Sequence, residues 1–162
     1  MHDPLATYLH DHLAGSHFAI ELLDSIEKQY PGDELGQFAR ALGADVRQDQ
    51  EILEQVIERV GKSHLDLMEA VGWLAEKASR LKLRQDASGR GLGTFEALEL
   101  LTLGVRGKLA LWKALQMIRA VDARIPGLDF DHLVTRAEEQ YSRAEEQRLK
   151  VARVTFQPVS AR

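Results

Sequence analysis

The stretch HDHLAGSHFAIE, residues 10–21, places three histidines within eight positions and a glutamate close behind them. Imidazole and carboxylate groups bind transition metals and exchange protons near neutral pH. His17 and Glu21 are four positions apart, a spacing that brings two side chains onto one face of a helix, where they can share a metal ion. The stretch therefore raises the hypothesis of a metal site, which depends on where each side chain points.

A rotation of about 100° per residue along a helix separates the three histidines. His10 and His17 fall opposite the apolar face, together with Glu21, and this position predicts a surface pair of His17 and Glu21. His12 and Ser16 fall in the middle of the apolar face. His12 is therefore the histidine that we expect in the core.

Two aspartates one turn apart mark the next predicted helix, 33–60. Asp49 lies within its apolar face and Asp45 lies at the edge of that face. An unpaired buried carboxylate is costly, so Asp49 is expected to be protonated, paired or bound to a ligand. Only a few residues connect the predicted helix 4–30 to the helix 33–60, so the two are expected to pack antiparallel. This packing brings Asp49 level with the stretch between His12 and Ser16 and predicts a contact between His12 and Asp49.

The later part of the chain adds cations and a tyrosine to this predicted cluster. The predicted helix 94–121 is apolar nearly all round, with a polar stripe of Glu99, Arg106 and Lys113 at intervals of seven. If it runs parallel to 33–60, Arg106 comes level with Asp49. The predicted cluster in the middle of the bundle then comprises His12, Asp49, Glu99, Arg106, Tyr141 and Arg148. It is either a buried ion network that fixes helix register, or a site for a metal or small ligand.

The composition restricts the class of protein. The chain has 162 residues, a length typical of one domain, and it contains no cysteine, which excludes disulfides and thiolate metal sites. Its formal net charge of −4 disfavours nucleic acid or anionic lipid as the main partner. The acidic start of the chain is not a signal peptide, and no apolar run is long enough to cross a membrane. We expect a cytoplasmic protein.

Four prolines and many good helix formers predict an all-α chain. The helices are expected in a single domain, 1–162, at about 4–30, 33–60, 64–83, 94–121 and 131–155. The first two and the last two are joined by tight breaks, which force antiparallel hairpins. The long segment between the hairpins is predicted to travel the length of the bundle as a crossover that contains the shorter helix 64–83. A plain up-down array of five helices is the alternative topology.

The last predicted helix contains an internal repeat, RAEEQ at 136–140 and again at 143–147. An offset of seven returns each residue type to nearly the same face of a helix. The apolar stripe of this helix is narrow, and the glutamate pairs are expected to form a solvated face.

Two hairpins with a long crossover, and acidic or histidine residues in mid-helix, resemble the ferritin-like superfamily over nearly the whole chain. That resemblance implies a four-helix bundle in which each hairpin supplies a Glu and an E-x-x-H to a pair of metal ions. This chain has no E-x-x-H, offers Asp45 and Asp49 instead, and places arginines at expected core positions. The spacing of His17 and Glu21 also resembles that of metal ligands in haemerythrin-like bundles. Such a site needs further histidines on other helices, and the predicted helices 33–60 and 94–121 contain none.

These residues favour a non-catalytic structural or interaction protein, expected as a homodimer, in which a network of ion pairs replaces the di-metal centre and no cofactor is expected. One alternative is an iron- or manganese-dependent oxidase or storage protein with unusual ligands, namely His12, Asp45, Asp49 and Glu99. The other is a sensor that holds the polar group of a small ligand between Asp49 and Arg106 in the core.

Overall fold

A computed structural model of the chain describes residues 3–61, 76 and 91–158. These residues form four helices: α1 (Pro4–Gln29), α2 (Glu34–Val60), α3 (Leu92–Ile118) and α4 (Phe130–Thr155). No strand occurs within the described ranges. The all-α, four-helix prediction is therefore confirmed, whereas the predicted helix 64–83 lies, apart from residue 76, outside the described residues.

Three of the four helices begin at an aspartate that caps the free amides of the first turn. The side chains of Asp3, Asp33 and Asp129 each accept a backbone N–H from two or three residues later, at 3.0–3.1 Å. Compared with the predicted helix 94–121, α3 begins two residues earlier and ends three residues earlier, and Gly91 (φ +76°) directly precedes its first turn.

The helices pack as two antiparallel hairpins, α1 with α2 and α3 with α4, and α1 also packs against α3. Ion pairs join α2 to α4 and complete the ring of four helices. At one end of the bundle the hydroxyls of Tyr30 and Thr94 share a hydrogen bond of 2.7 Å. At the opposite end Arg124 contacts both Asp3 and the carbonyl oxygen of Val60.

These contacts establish the direction of each helix. The start of α3 lies beside the end of α1, and the end of α2 lies beside the start of α1. Consequently α2 and α3 run in the same direction, across a diagonal of the bundle, and every neighbouring pair is antiparallel. A long crossover and an up-down array of five helices both produce this direction, and the segment that distinguishes them, 62–90, is described only at residue 76.

The apolar core consists of two clusters, one towards each end of the bundle. One is built around Trp112 and Phe130, and the other around Leu23, Leu42 and Leu98. Between them lies a layer of polar side chains: Asp49, Lys108 and Gln140. The two clusters therefore meet at hydrogen-bonded groups rather than at hydrocarbon.

The turn between α1 and α2 depends on a glycine in the first turn of α2. Gly36 is buried, and a Cβ atom built there would overlap the carbonyl oxygen of Tyr30. The space reserved at Gly36 allows the end of α1 to approach the start of α2. It thereby sets the tight geometry of the hairpin that positions His12 and Asp49 on adjacent helices.

We expect Gly36→Ala to lower the free energy of unfolding by about 1–3 kcal/mol, because the backbone at Tyr30 must shift to admit the methyl group. Gly104→Ala is the matched control, since a Cβ there meets nothing within 4 Å. In mid-helix this control should gain about 0.5–1 kcal/mol. Urea unfolding of both variants measures the effect, and equal stabilities would contradict the assigned close approach.

Candidate functional site

An ion pair between diagonal helices forms the centre of the polar layer. Nζ of Lys108 lies 2.6 Å from Oδ2 of Asp49, which is 3 % exposed. The amide of the fully buried Gln140 donates to the same oxygen at 3.0 Å, and its carbonyl oxygen accepts from Lys108. Burial lowers the pKa of Lys108, and the charge of Asp49 opposes that shift. The three side chains thus satisfy one another where water has little access.

The network continues from Asp49 to the seam between α2 and α4. Oδ1 of Asp49 accepts no hydrogen bond, and Nε of Arg136 lies 3.5 Å from it. Arg136 also donates to the backbone carbonyl of Asp45 at 3.1 Å, and the Asp45 carboxylate pairs with Arg143. Arg136 and Arg143 occupy equivalent positions of the RAEEQ repeat, so the repeat supplies two cations to one face of α2.

The prediction that Arg106 lies beside Asp49 is wrong. Arg106 is exposed, and its guanidinium lies 4.8 Å from the centre of the Tyr141 ring. Glu99, Arg106 and Lys113 form a stripe along the outer edge of the α3–α4 hairpin, where their partners are on α4. Lys108, two residues further on and therefore about 200° around the helix, is the cation that enters the core.

The predicted cluster is thus divided into two groups. His12, Asp45 and Asp49 lie in or beside the polar layer, whereas Glu99, Arg106, Tyr141 and Arg148 lie along the α3–α4 edge. Arg148 is half-buried there, 3.4 Å from Glu99 and stacked over the ring of Phe95. This second group stabilises the hairpin and does not reach Asp49.

Lys108 and Gln140 were not predicted in the central polar layer, although the sequence contains a weak indication of the burial of Lys108. Lys108 stands seven positions from both Leu101 and Leu115, which are 2 % and 0 % exposed, so it shares their buried face. Gln140 belongs to the RAEEQ repeat, whose glutamates Glu138, Glu139 and Glu146 are exposed as predicted. Gln140 is the one buried polar residue of the repeat, and the exposed charged residues around it gave no sign of its burial.

A cavity of about 370 Å³ opens beside the polar layer, between α1 and α3. Small residues on both helices, Gly15, Gly104 and Gly107, leave this space. Its floor is mainly apolar and includes Val46, Leu53, Val105, Leu111 and Trp112. Its polar lining consists of Tyr8, Asp11, His12, Ser16, Asp49, Gln50 and Lys108.

His12 projects towards the core, as its position on the helix predicted. Its ring meets the edge of Tyr8 at 4.6 Å between centroids, and its Cε1 lies 3.9 Å from the position of a Cβ at Gly107. His12 and Asp49 both line the cavity, but neither a hydrogen bond nor an ion pair joins them, and no hydrogen bond links His12 to another described residue. Burial lowers the pKa of His12, and the nearby Asp11 carboxylate partly opposes this effect.

The other two histidines of the opening motif take no part in the cavity. His17 and Glu21 are both exposed, and no ion pair joins them; Nδ1 of His17 instead lies 3.2 Å from the amide of Gln50. The same amide donates to Ser16 at 2.8 Å. His10, predicted on the polar surface, is half-buried, and neither of its ring nitrogens has a hydrogen-bond partner in the described part of the chain.

The described residues do not fit a di-metal centre. Each carboxylate suggested as a ligand faces a cation: Asp45 faces Arg143, Asp49 faces Lys108, and Glu99 faces Arg148. Within residues 3–61, 76 and 91–158, no three His, Cys, Asp or Glu side chains are grouped as a metal ion would require. A metal ion at Asp49 would have to displace the Lys108 ammonium group.

No protein-family model matches this chain, and neither a curated protein nor a solved structure is similar enough to count as a match. Among the described helices, none is both long enough and apolar enough to cross a membrane.

We expect Lys108→Met to lower the free energy of unfolding by about 3 kcal/mol, because it leaves the buried Asp49 carboxylate without its closest cation. Adding Asp49→Leu should recover much of that loss, since the orphaned charge is then removed. Lys113→Met is the matched control: its partner Glu138 is 3.4 Å away, both side chains are 55 % exposed, and such pairs contribute less than about 1 kcal/mol. Urea denaturation of all variants measures these differences, and a Lys108→Met protein as stable as wild type would refute the role of the pair.

The lowered pKa of His12 predicts a specific pH dependence of stability. The unfolded chain binds a proton at this residue more readily than the folded chain does, so acid favours unfolding. The contribution of His12 is therefore complete above its unperturbed pKa of about 6.5 and declines as the pH falls below it. Between pH 7.5 and 5.5, wild type should lose more stability than His12→Phe; identical pH profiles would show that the imidazole is not buried as described.

Proposed function

We propose that this chain is a non-catalytic binding protein of ferritin-like architecture, in which ion pairs take the place of a di-metal centre. It binds a small molecule in the cavity between α1 and α3. Two antiparallel hairpins whose α2 and α3 run in the same direction agree with this architecture, and an up-down array of five helices shares that direction. The Lys108 ammonium group pairs with Asp49, one of the carboxylates suggested as a metal ligand, and this pair supports the proposal that ion pairs replace the metal site.

The observation that carries the binding proposal is the cavity itself. A volume of about 370 Å³ falls in the range of pockets that bind small molecules, which are mostly apolar with a few polar groups. His12 lies in its wall with no hydrogen-bond partner among the described residues, so its ring remains free to bind a ligand. Arg106, which the sequence suggested as the second anchor, lies elsewhere, and Lys108 occupies the corresponding place.

The arrangement of polar groups in the cavity supports binding rather than catalysis. The hydroxyl of Ser16 donates to the carbonyl oxygen of Leu13 at 2.7 Å and is therefore not activated by an imidazole. No carboxylate within the described ranges orients the ring of His12, as the base of a catalytic triad requires. Asp49, Lys108 and Gln50 in the cavity wall are engaged in hydrogen bonds that stabilise the bundle.

An interaction surface is the second candidate function, and exposed apolar residues on and after α3 favour it. Leu103, Met117 and Val121 are 62 %, 79 % and 85 % exposed. Single exposed apolar residues are normal, but Leu103 and Met117 fall on a similar side of α3 and Val121 follows just beyond its end, an arrangement that favours a partner surface. The homodimer and the cytoplasmic location remain predictions.

Filling the cavity should weaken small-molecule binding without unfolding the protein. The probe is N-phenyl-1-naphthylamine, an uncharged fluorophore that brightens in apolar surroundings. A side chain at Gly104 has open space, so Gly104→Phe should project a ring into the cavity and weaken probe binding at least about tenfold, or about 1.4 kcal/mol.

Ala110→Phe is the control, because Ala110 is exposed on the same helix and does not line the cavity. It should leave the affinity within about twofold of wild type. Circular dichroism melting verifies that both variants are folded. Absence of probe binding to wild type, or equal binding by the two variants, would refute the proposed function.

A further inference from the structure

We propose that the α1–α3 cavity selects an uncharged, mostly apolar molecule carrying one hydrogen-bonding group for His12, and that it excludes anions. This inference rests on the proposed function and names the chemical class of its ligand. It follows from the charges in the cavity wall, from the unpaired imidazole ring of His12 and from the apolar floor of the cavity.

Among the described residues, the cavity wall offers no free cation. Lys108 is the one lysine or arginine among the described lining residues, and its ammonium group is engaged by Asp49 and Gln140. An anionic ligand would have to compete with Asp49 for that group and would be repelled by the carboxylate. Losing its hydration shell without gaining a cation makes the burial of an anion costly.

The cavity mouth is negatively charged, as an anionic ligand would be. Asp11 is exposed at the rim, and no cation among the described residues pairs with it. Since Asp49 and Lys108 offset each other, Asp11 leaves the wall with a net negative charge. A neutral ligand avoids this repulsion, whereas a sulfonate or carboxylate approaching the mouth does not.

His12 provides the hydrogen-bonding group. The charged or titratable groups around it are Tyr8 and Asp11 on α1, Asp49 on α2 and Lys108 on α3. Burial favours the uncharged ring by lowering the pKa of His12, and a neutral imidazole offers one N–H donor and one acceptor. A hydroxyl, amine or amide on the ligand can therefore be satisfied, while the apolar floor covers the remainder.

A matched pair of probes tests this selectivity. N-phenyl-1-naphthylamine and 1-anilinonaphthalene-8-sulfonate share their ring system and their N–H group and differ by one sulfonate. We expect the sulfonate to bind wild type at least about tenfold more weakly at low ionic strength, where surface charges are least screened. Equal or tighter binding of the sulfonate in the cavity would overturn the inference.

Two variants locate the source of the selectivity. Asp11→Asn should raise the affinity for the sulfonate severalfold and leave the neutral probe unchanged, whereas Glu21→Gln, on the exposed side of α1, should alter neither. His12→Phe should weaken the neutral probe severalfold, and His17→Phe should not. A neutral probe that binds His12→Phe as well as wild type would overturn the assigned hydrogen bond.

Failure of this inference can be distinguished from failure of the proposed function. If the neutral probe does not bind wild type, or binds Gly104→Phe undiminished, the cavity is not a binding site and both proposals fall. If both probes bind wild type equally and Gly104→Phe blocks both, the cavity binds small molecules but does not select against anions. Only the ligand class is then wrong.

Discussion

Lys108 and Asp49 belong to helices that lie across a diagonal of the bundle, yet their charged groups meet at 2.6 Å. Such a pair is tolerated in a core only when its geometry and its remaining hydrogen bonds are satisfied. Here Gln140, from a third helix, bonds both charged groups, and the Arg136 guanidinium lies 3.5 Å from the Asp49 oxygen that accepts no hydrogen bond. A shift of any of these helices by one residue would leave a charge or an amide unpaired. The pair therefore constrains the register of α2, α3 and α4 together, while the flanking apolar clusters alone tolerate small displacements.

Local features of the fold were predictable because their causes lie within a few residues. Aspartates before an apolar period cap helices, and a short break forces an antiparallel hairpin, whatever the rest of the chain does. The burial of Asp49 was also predictable, since α2 has a clear apolar face that contains it. The same reasoning failed for α3, which is apolar nearly all round. Without a distinct face, its rotation is set by neighbouring helices, and Arg106 and Lys108 could not be told apart.

The candidate site was predictable only in part. The direction of His12 follows from its own helix, but the space in front of it depends on glycines that lie about ninety residues apart, at Gly15, Gly104 and Gly107. A cavity is the part of a bundle that side chains fail to fill, and no local pattern describes it. Gln140 illustrates the opposite case, because a residue within a charged repeat becomes fully buried once α4 is placed against α2.

The directions of the four helices have a consequence for the electric field inside the bundle. Each end contains two helix N-termini and two C-termini, so partial charges of about +0.5 and −0.5 alternate around the ring. The four macrodipoles largely cancel along the bundle axis. The ionisable groups of the central layer thus experience little axial potential, and their protonation is governed by the side chains that they touch. Replacing one such neighbouring side chain should therefore change the protonation of these groups without any contribution from the helix ends.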